Sequence, residues 1–486
     1  MTKATLNRFL KEFPSALTDG TAAIFVGAGV SMAAGYPSWS KLLYEIGEEL
    51  GVNSSSVHDL AALAQWSIQA NGGATRVRQI IKREILPEKP IPDAIKVIAR
   101  LPTRSIWTTN YDRLIERAFQ EIRRPLDVTS SGEDLALKAT PGATRLYKMH
   151  GSIDRLDDVV ISTDDYELFR SRRGAFLPLF QAHLTSMSML FIGISFTDPN
   201  IKHVLSLIRE SFTNAPPEHF AIIRPPQRKD FKRKNEFEAR LAQHKLWAKD
   251  LKRYGLLVVE VDDYEQVPEL LMQIERRVAS RRVWVSGSWT LENQTGAANI
   301  HYFSETVGLK IGETNRDLVT GAGLLVGSAS ISGFLSSLRT SGAWDLERRL
   351  IARPFPQPLT GETANKTEWT ALRTELARQA GITIFIGGQK YENGKLKNAD
   401  GVLEEFYLAK HFGSFLIPVG ATGGTARFIA EELISSNIPD SGPKALRPTD
   451  QELFTISDSR LLETEQGREK LKNSIFKIID RIEKTN

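Results

Sequence analysis

An amide, a carboxylate and an imidazole follow short apolar runs that predict buried β-strands. Asn110 and Asp112 come after residues 105–109 (SIWTT), and His150 follows residues 146–149 (LYKM). In an open α/β sheet, ligands bind at the carboxyl ends of the strands, where such side chains meet. A histidine with an ordinary pKa of ~6.5 can accept a proton at neutral pH. The three residues therefore suit general-base chemistry on a polar ligand.

Two further apolar runs end in glycines. Residues 21–31 (TAAIFVGAGVS) predict a strand, a Gly-Ala-Gly turn and a helix start, and residues 187–195 (MSMLFIGIS) end in Gly193 and Ser195. Glycine lets backbone N–H groups approach a phosphate, and a helix N-terminus favours an anion. A tight turn is the simpler alternative for one such motif. Together the four strand ends indicate a nucleotide pocket.

Each of the polar residues also has a structural interpretation. Asn110 can be a turn residue, since Asn bonds readily to its own backbone. Asp112 can cap a helix predicted over residues 113–121. His150 can be an ordinary buried histidine. The functional interpretation depends on the set and not on any one member.

The ordered motifs resemble the sirtuin family over about residues 15–275. The matching features are GAGxS, the Gly-x-Pro turn at residues 35–37, Thr-x-Asn-x-Asp, His-Gly and a late Gly-x-Ser. The resemblance implies that NAD is the ligand. It places Ala28, Gly29 and Ser31 at the pyrophosphate, and Asn110 and Asp112 around the nicotinamide ribose and carboxamide. His150 would face the ribose hydroxyls as a general base or orienting group, Ser195 would reach the adenosine side, and Gly193 is a further cofactor-binding residue.

Two departures from the sirtuin pattern argue against protein deacylation. The chain has no cysteine, so the four-cysteine zinc module of deacetylase sirtuins cannot form, and no metal is expected. Residues 35–40 (GYPSWS) lack the arginine of the family's cofactor loop. Residues 57–85 and 164–183 have helical apolar spacing and are expected to pack against the sheet instead.

Cleavage of the nicotinamide glycosidic bond passes through an oxocarbenium-like state, which a protein can promote by holding the ribose and admitting a nucleophile. Asn110 and His150 suffice for those tasks, and with water as nucleophile the products are ADP-ribose and nicotinamide. We therefore expect an NAD+ hydrolase, with cyclisation left open. The alternatives are an NAD-dependent deacylase and a non-enzymatic nucleotide sensor.

Composition indicates a globular protein of several domains. The chain has 486 residues, 41% hydrophobic and 25% charged, which suggests about two to four domains. No apolar run reaches the ~18 residues of a membrane helix, and the first residues lack a signal-peptide core, so a cytoplasmic protein is expected. Acidic residues interrupt the most basic stretch, residues 224–245, so no nucleic-acid partner is expected.

A second α/β domain is predicted after a boundary near residue 280, giving domains at residues 1–280 and 283–486. Glycines follow short apolar runs at residues 317–323, 382–388 and 415–420, and residues 367–379 and 401–411 predict amphipathic helices. This alternation is typical of a doubly wound domain.

The second half resembles the SLOG superfamily over about residues 283–436, although residues 419–428 lack the glutamate of its catalytic members. The predicted fold is thus α/β, with an N-terminal sirtuin-like Rossmann-type parallel sheet carrying helical insertions and a C-terminal SLOG Rossmann-like domain. A binding role remains, because the backbone from Gly423 to Thr425, at a helix start, suits a phosphate.

A sirtuin-like half followed by a SLOG half resembles the NAD-degrading effectors of the Thoeris antiphage system. That resemblance implies a C-terminal pocket for a cyclic ADP-ribose isomer, made by a TIR-domain partner protein, that switches on NAD cleavage. The matching signal-binding positions are Gly287, Ser288, Arg373, Lys390, Glu405 and Gly423. It also implies a homotetramer or larger assembly. Which cyclic isomer binds is left open.

Overall fold

The computed structural model describes residues 3–52, 57, 59–196, 198–211, 218–291, 294–342, 346–356, 365–392, 395–442 and 445–485. The chain divides into two compact units, Met1–Glu275 and Arg276–Asn486. Both are α/β, as predicted.

In the described part of the first unit, seven parallel strands form one sheet in the order β3-β4-β2-β1-β5-β6-β7. The strands are β1 (Ala22–Val26), β2 (Ser105–Thr108), β3 (Leu126–Thr129), β4 (Thr144–Lys148), β5 (Ser188–Ile192), β6 (His219–Ile223) and β7 (Leu256–Glu260). The four runs singled out in the sequence are β1, β2, β4 and β5, which are adjacent in the sheet. Their polar ends therefore share one edge.

Helices connect these strands and cover the sheet. They are α1 (Lys3–Asp19), α2 (Ala28–Ala33), α3 (Trp39–Leu42), α4 (Tyr44–Glu49), α5 (Leu60–Ala70), α6 (Thr75–Ile85), α7 (Asp93–Arg100), α8 (Leu114–Glu121), α9 (Thr163–Glu167), α10 (Phe169–Arg172), α11 (Phe176–Ser186), α12 (Pro199–Ser211), α13 (Lys234–Leu251) and α14 (Val267–Ser280). The two predicted helical stretches are present but interrupted, the first as α5 and α6 and the second as α9 to α11.

The central strands are apolar on both faces, as parallel strands covered by helices require. Phe25 of β1 is in register with Trp107 of β2 and Phe191 of β5, so the three rings line one face. Phe180 of α11 packs on two of them, with ring centroids 5.6 Å from Phe25 and 4.9 Å from Trp107. This aromatic layer fixes the strand ends that carry the polar residues.

Three glycines allow the loops after β1 and β5 to touch backbone to backbone. The Gly29 N–H donates to the Gly193 carbonyl at 2.9 Å. A Cβ on Gly27 would lie 2.5 Å from that same carbonyl oxygen, and Gly193 has φ +69° with its missing Cβ facing Val30 N at 2.8 Å. The Gly-Ala-Gly motif is thus required first for close packing of two strand ends.

A buried lysine supports the loop after β2. Lys148, at the end of β4, is 1% exposed. Its Nζ donates to the carbonyl of Asp112 at 2.6 Å, to that of Tyr111 at 3.3 Å and to Glu116 Oε1 at 2.7 Å. One ammonium group therefore ties the β2 loop and α8 to β4.

The described part of the second unit has a five-stranded parallel sheet in the order β10-β9-β8-β11-β14, and a separate hairpin of β12 and β13. The strands are β8 (Arg282–Ser288), β9 (Asp317–Thr320), β10 (Leu350–Ala352), β11 (Ile382–Gly387), β12 (Gln389–Glu392), β13 (Lys395–Asn398) and β14 (Phe415–Val419). The glycine-ended runs of the sequence correspond to β9, β11 and β14. The hairpin was not predicted.

The helices of this unit are α15 (Gln294–Glu313), α16 (Val326–Ser341), α17 (Leu346–Arg349), α18 (Lys366–Gln379), α19 (Asp400–His411), α20 (Gly424–Ser435), α21 (Asp450–Thr455), α22 (Arg460–Glu463) and α23 (Glu465–Thr485). Helices α18 and α19 match the two amphipathic helices predicted from sequence to within one residue. Residues of α21 to α23 join the same buried core as the sheet. Among the described residues of the chain, no helix has the length and apolar character needed to cross a bilayer.

Substitution Gly27→Ala should destabilise the first unit by about 1–3 kcal/mol, because the new methyl group would clash with backbone and not with a flexible side chain. Urea denaturation measures the change. Gly73→Ala is the matched control, since a Cβ there meets nothing within 4 Å. Equal stability of the two variants would contradict the close packing of the loops after β1 and β5.

Substitution Lys148→Met should destabilise the first unit by about 3–5 kcal/mol, because it leaves the Glu116 carboxylate without its buried partner. Lys96→Met, which removes an exposed ion pair with Asp93, should change the unfolding free energy by about 0.5 kcal/mol or less. Both are measured by urea denaturation. A small effect of Lys148→Met would show that the β2 loop holds its shape without this ammonium group.

Candidate functional site

A hydrogen-bonded chain of three side chains, the half-buried Asn110 and the buried Ser31 and Asp112, joins the ends of β1 and β2. Asn110 Nδ2 donates to Ser31 Oγ at 2.8 Å and to the Gly27 carbonyl at 3.0 Å. Ser31 Oγ donates in turn to Asp112 Oδ2 at 2.5 Å. The hydroxyl of Ser31 therefore accepts from one predicted site residue and donates to another, which fixes the amide orientation of Asn110.

The amide oxygen of Asn110 is not used by this hydrogen-bond chain. Asn110 Oδ1 is buried and has no hydrogen-bond partner among the described residues. A buried acceptor without a partner costs free energy, which a ligand donor would recover. Helix α8 begins at Leu114 with Arg113 at its N-cap, so the prediction that Asp112 is the N-cap was wrong by one residue. Asp112 still accepts the N–H of Leu114 at 3.0 Å, because its side chain reaches the first turn of the helix from the preceding loop.

The residues predicted to contact the pyrophosphate have different surroundings. Ala28 and Gly29 are exposed at the start of α2. The N–H of Gly29 is already bonded to the Gly193 carbonyl, and the side chain of Ser31 is committed to the Asn110–Asp112 chain. Of these three residues, Ala28 and the exposed backbone of Ala28 and Gly29 are accessible to a ligand.

His150 lies at the end of β4 in a buried position, 2% exposed. Its Nε2 is 3.2 Å from Asp198 Oδ2 but makes no hydrogen bond among the described residues. Burial lowers the pKa of His150, and the Asp198 carboxylate partly opposes that shift by raising it. The imidazole is therefore neutral at pH 7 and carries a lone pair that can accept a proton.

Buried polar contacts hold the backbone around His150. Arg173 donates to the carbonyls of Ser130 at 2.5 Å and Met149 at 3.3 Å. Val160 N donates to the His150 carbonyl at 3.0 Å. Arg173 is 2% exposed, so its guanidinium group contacts protein groups and not solvent.

Four polar residues of this region have no role predicted from the sequence: Asp198, Tyr166, Arg173 and Lys148. Asp198 follows the fourth apolar run and lies three residues after Ser195, so its position could have marked it as a candidate site residue. Tyr166 and Arg173 come from helical segments with no motif. Gly193 is partly exposed, and Ser195 is exposed in the loop before α12.

In the second unit, a buried carboxylate lies at the end of β8. Glu405 of α19 is 6% exposed, and its Oε2 accepts from Ser286 Oγ at 2.5 Å. Arg373 of α18 donates to Glu405 Oε1 at 3.4 Å and to Glu404 Oε2 at 2.6 Å. Burial raises the pKa of Glu405, which Ser286 and Arg373 oppose. The structure thus brings together two predicted signal-binding residues.

Aromatic rings flank this arginine. The Arg373 guanidinium carbon lies 4.9 Å from the ring centroid of Phe355 and 5.6 Å from that of Trp369. A Cβ on Gly401 would lie 2.5 Å from Arg373 Nη2, so the glycine lets the guanidinium approach α19. Sequence reasoning missed both aromatic residues.

The other predicted signal-binding residues surround the same strand ends. Lys390 Nζ donates to Asp400 Oδ2 at 2.6 Å, and Ser288 accepts the N–H of Gly388 at 2.8 Å. Gly287 precedes Ser288 at the end of β8 and pairs in register with Ile386 of β11. Gly423 has open space at its missing Cβ, but its N–H donates to Gly420.

The predicted phosphate cradle at residues 423–425 is therefore partly occupied by the protein itself. Thr425 N donates to the Gly388 carbonyl at 3.2 Å, and Thr425 Oγ1 donates to the same oxygen at 2.8 Å. These donors tie α20 to the turn after β11. Among the described residues of the chain, no three His, Asp or Glu side chains are grouped to hold a metal ion.

Comparison with protein families matches both halves. Residues 104–246 match the SIR2-like domain, and residues 266–482 match the Sir2- and TIR-associating SLOG family. The first match contains Asn110, Asp112, His150 and Asp198. The second contains Arg373, Lys390 and Glu405, which we call the second-unit cluster.

Curated relatives match this chain over different shares of their length. The NAD(+) hydrolase ThsA of Bacillus cereus is 34% identical over 87% of this chain and 88% of its own length. The NAD(+) hydrolase ThsA of Enterococcus faecium is 32% identical over 98% of both chains. Defense-associated sirtuin 2 of Bacillus subtilis is 29% identical over 41% of this chain and 20% of its own length. The chain belongs to the ThsA family, and in this chain a SIR2-like domain precedes a SLOG domain.

Proposed function

We propose that this chain hydrolyses NAD+ to ADP-ribose and nicotinamide in antiphage defence, and that a cyclic ADP-ribose isomer bound by its second unit switches the reaction on. The observation that carries the first part is the fixed amide of Asn110, whose buried Oδ1 lacks a partner among the described residues, on the same sheet edge as the neutral His150. The ThsA relatives, named as NAD(+) hydrolases, support the same reaction.

Positioning accounts for the part of Asn110. The Ser31 hydroxyl and the Gly27 carbonyl hold its NH2 group, so Oδ1 can accept a hydrogen bond from a ribose hydroxyl or a water without reorganising. Such preorganisation lowers the barrier because the orienting free energy is spent in folding and not at the reaction step. The positive charge on the pyridinium nitrogen of NAD+ makes nicotinamide a good leaving group once the ribose is held.

Proton transfer accounts for the part of His150. The C1′–N bond of the nicotinamide ribose breaks, its electron pair leaves with nicotinamide, and the oxygen of water bonds to C1′. The proton lost by that water, or relayed through a ribose hydroxyl, goes to the neutral imidazole and then to solvent. Burial keeps the imidazole unprotonated at pH 7, which is the state this step needs.

The two rival functions differ in what they require. A deacylase using the same pocket releases nicotinamide only with an acyl peptide, and a nucleotide sensor releases none. The absence of cysteine argues against the zinc-bearing deacylase, since no thiolate can hold that metal. Nicotinamide release from NAD alone distinguishes hydrolysis from both.

The second-unit cluster supports binding of a phosphorylated signal. Arg373 offers a planar fork for a phosphate, Lys390 a point charge, and Glu405 an acceptor for ribose hydroxyls. Each cation is paired with a carboxylate in this structure, Arg373 with Glu404 and Lys390 with Asp400, both at 2.6 Å. The phosphates of the signal would replace these carboxylates. A weakly charged ligand would not compete with the carboxylates for the two cations.

Regulation requires that the signal favour an active arrangement over an inactive one, since a ligand shifts an equilibrium only by its differential affinity. The SLOG match, described as Sir2- and TIR-associating, supports a TIR-domain protein as the source of the signal. A homotetramer or larger assembly, implied by the resemblance to Thoeris effectors, remains part of this proposal. Light scattering with and without the signal tests the assembly.

Asn110→Ala and His150→Ala should each lower nicotinamide release from NAD by about 100-fold or more, because one removes the fixed acceptor and the other the base. Release is measured chromatographically with the full chain, NAD and activating signal, without peptide. Asn235→Ala and His411→Ala, at exposed positions, are the matched controls and should keep normal turnover. Near-normal turnover in both site variants would refute the assignment.

Lys390→Ala should raise the concentration of cyclic ADP-ribose isomer needed for half-activation by about tenfold or more, because a charge-assisted contact to phosphate is lost. Asp400→Asn should lower that concentration, since it removes the carboxylate that competes for Lys390. Lys470→Ala, an exposed lysine on α23, is the control. An unchanged response in both Lys390 and Asp400 variants would place the signal elsewhere.

A further inference from the structure

We propose that Asp198 is a positioning residue for His150: its carboxylate holds the imidazole at the strand edge and strengthens it as a base. The inference rests on the hydrolysis proposed above and adds the residue through which His150 is tuned. It concerns a side chain that none of the predicted roles includes.

The two groups face one another inside the protein. His150 Nε2 lies 3.2 Å from Asp198 Oδ2, with the side chains 3% and 15% exposed. No hydrogen bond to that nitrogen forms among the described residues, so the carboxylate is the polar group next to it. A buried imidazole that becomes protonated needs a counter-charge, and Asp198 supplies one at contact distance.

Asp198 is itself held in place at the start of α12. Its Oδ1 accepts the N–H groups of Asn200 at 2.9 Å and Ile201 at 3.2 Å. Its Oδ2 accepts the hydroxyl of Tyr166 at 3.2 Å. Three donors on two oxygens therefore fix the position of the carboxylate beside the imidazole.

The charges around His150 favour this assignment. Burial lowers the pKa of His150, Asp198 raises it, Arg173 lowers it and Asp165 raises it. The rings of Tyr166 and Phe169 meet the imidazole edge-on, with centroids 5.5 Å and 6.3 Å away, and complete its surroundings. Of the charged groups, Asp198 has the largest influence. Without it His150 would be a weaker base.

A purely structural role as the cap of α12 is the competing explanation. Asparagine caps helices as well as aspartate, because its side-chain oxygen accepts the same N–H groups. Asp198→Asn therefore keeps the cap and removes the charge. A structural role predicts no change in His150, whereas a positioning role predicts a change in its titration.

The test uses the full chain with labelled histidine. We expect Asp198→Asn to lower the pKa of His150 by about one unit in NMR titration, with the resonance assigned by its loss in His150→Ala. The kcat for nicotinamide release should fall about tenfold or more with little change in KM. Because protonated His150 is inactive, the acid limb of the kcat profile should move to lower pH.

Asp165→Asn is the matched control, since it removes a carboxylate that influences His150 without contacting it and should produce a smaller shift. If Asp198→Asn does not fold, Asp198→Ser, which also caps a helix without charge, is measured in the same way. A wild-type pKa and a wild-type pH profile in the uncharged variant would overturn the inference. The titration needs no turnover, so absence of nicotinamide release in wild type would reject the proposed hydrolysis alone.

Discussion

The hydrogen-bond chain from Asn110 through Ser31 to Asp112 is the interaction on which the first unit's candidate site depends. It joins the ends of two neighbouring strands, and its donors, Asn110 Nδ2 and Ser31 Oγ, are used inside the protein. The acceptor Oδ1 of Asn110 has no partner among the described residues. Because the amide nitrogen is committed, the oxygen has a fixed direction. A site that must hold a ribose gains from this fixed acceptor, since no reorientation is needed when the ligand binds.

The pKa of His150, at the same edge of the sheet, depends on its surroundings. Burial keeps His150 neutral, while Asp198 limits how far its pKa falls. These two opposing effects are consistent with the role proposed for His150 as a base, because burial keeps the imidazole neutral while Asp198 favours its protonated form. Lys148 and Arg173 support the backbone of the loops after β2 and β4, because they donate hydrogen bonds to the carbonyls of Asp112 and Met149.

The second unit also has a buried polar group held at the edge of a parallel sheet. A parallel sheet again places glycine turns at one edge, and a buried polar group, Glu405, is fixed by a serine at the end of a central strand. Its cations, however, are neutralised by neighbouring carboxylates. In the sensor role proposed for this unit, a signal phosphate would take the place of these carboxylates and so change the local ion pairs.

The sequence by itself determined the α/β class, the strands β1, β2, β4 and β5 with the polar residues at their ends, and the family, because apolar runs, glycine turns and ordered motifs are local signals. Tertiary structure decided which donors remain available. Gly29 and Thr425, expected near phosphates, donate to protein carbonyls, and Ser31 became a link between strands. Arg373 and Glu405, on helices where exposure is the ordinary expectation, are buried against each other. The roles of Asp198, Tyr166 and Lys148 arise from contacts between segments distant in sequence, which no local pattern encodes.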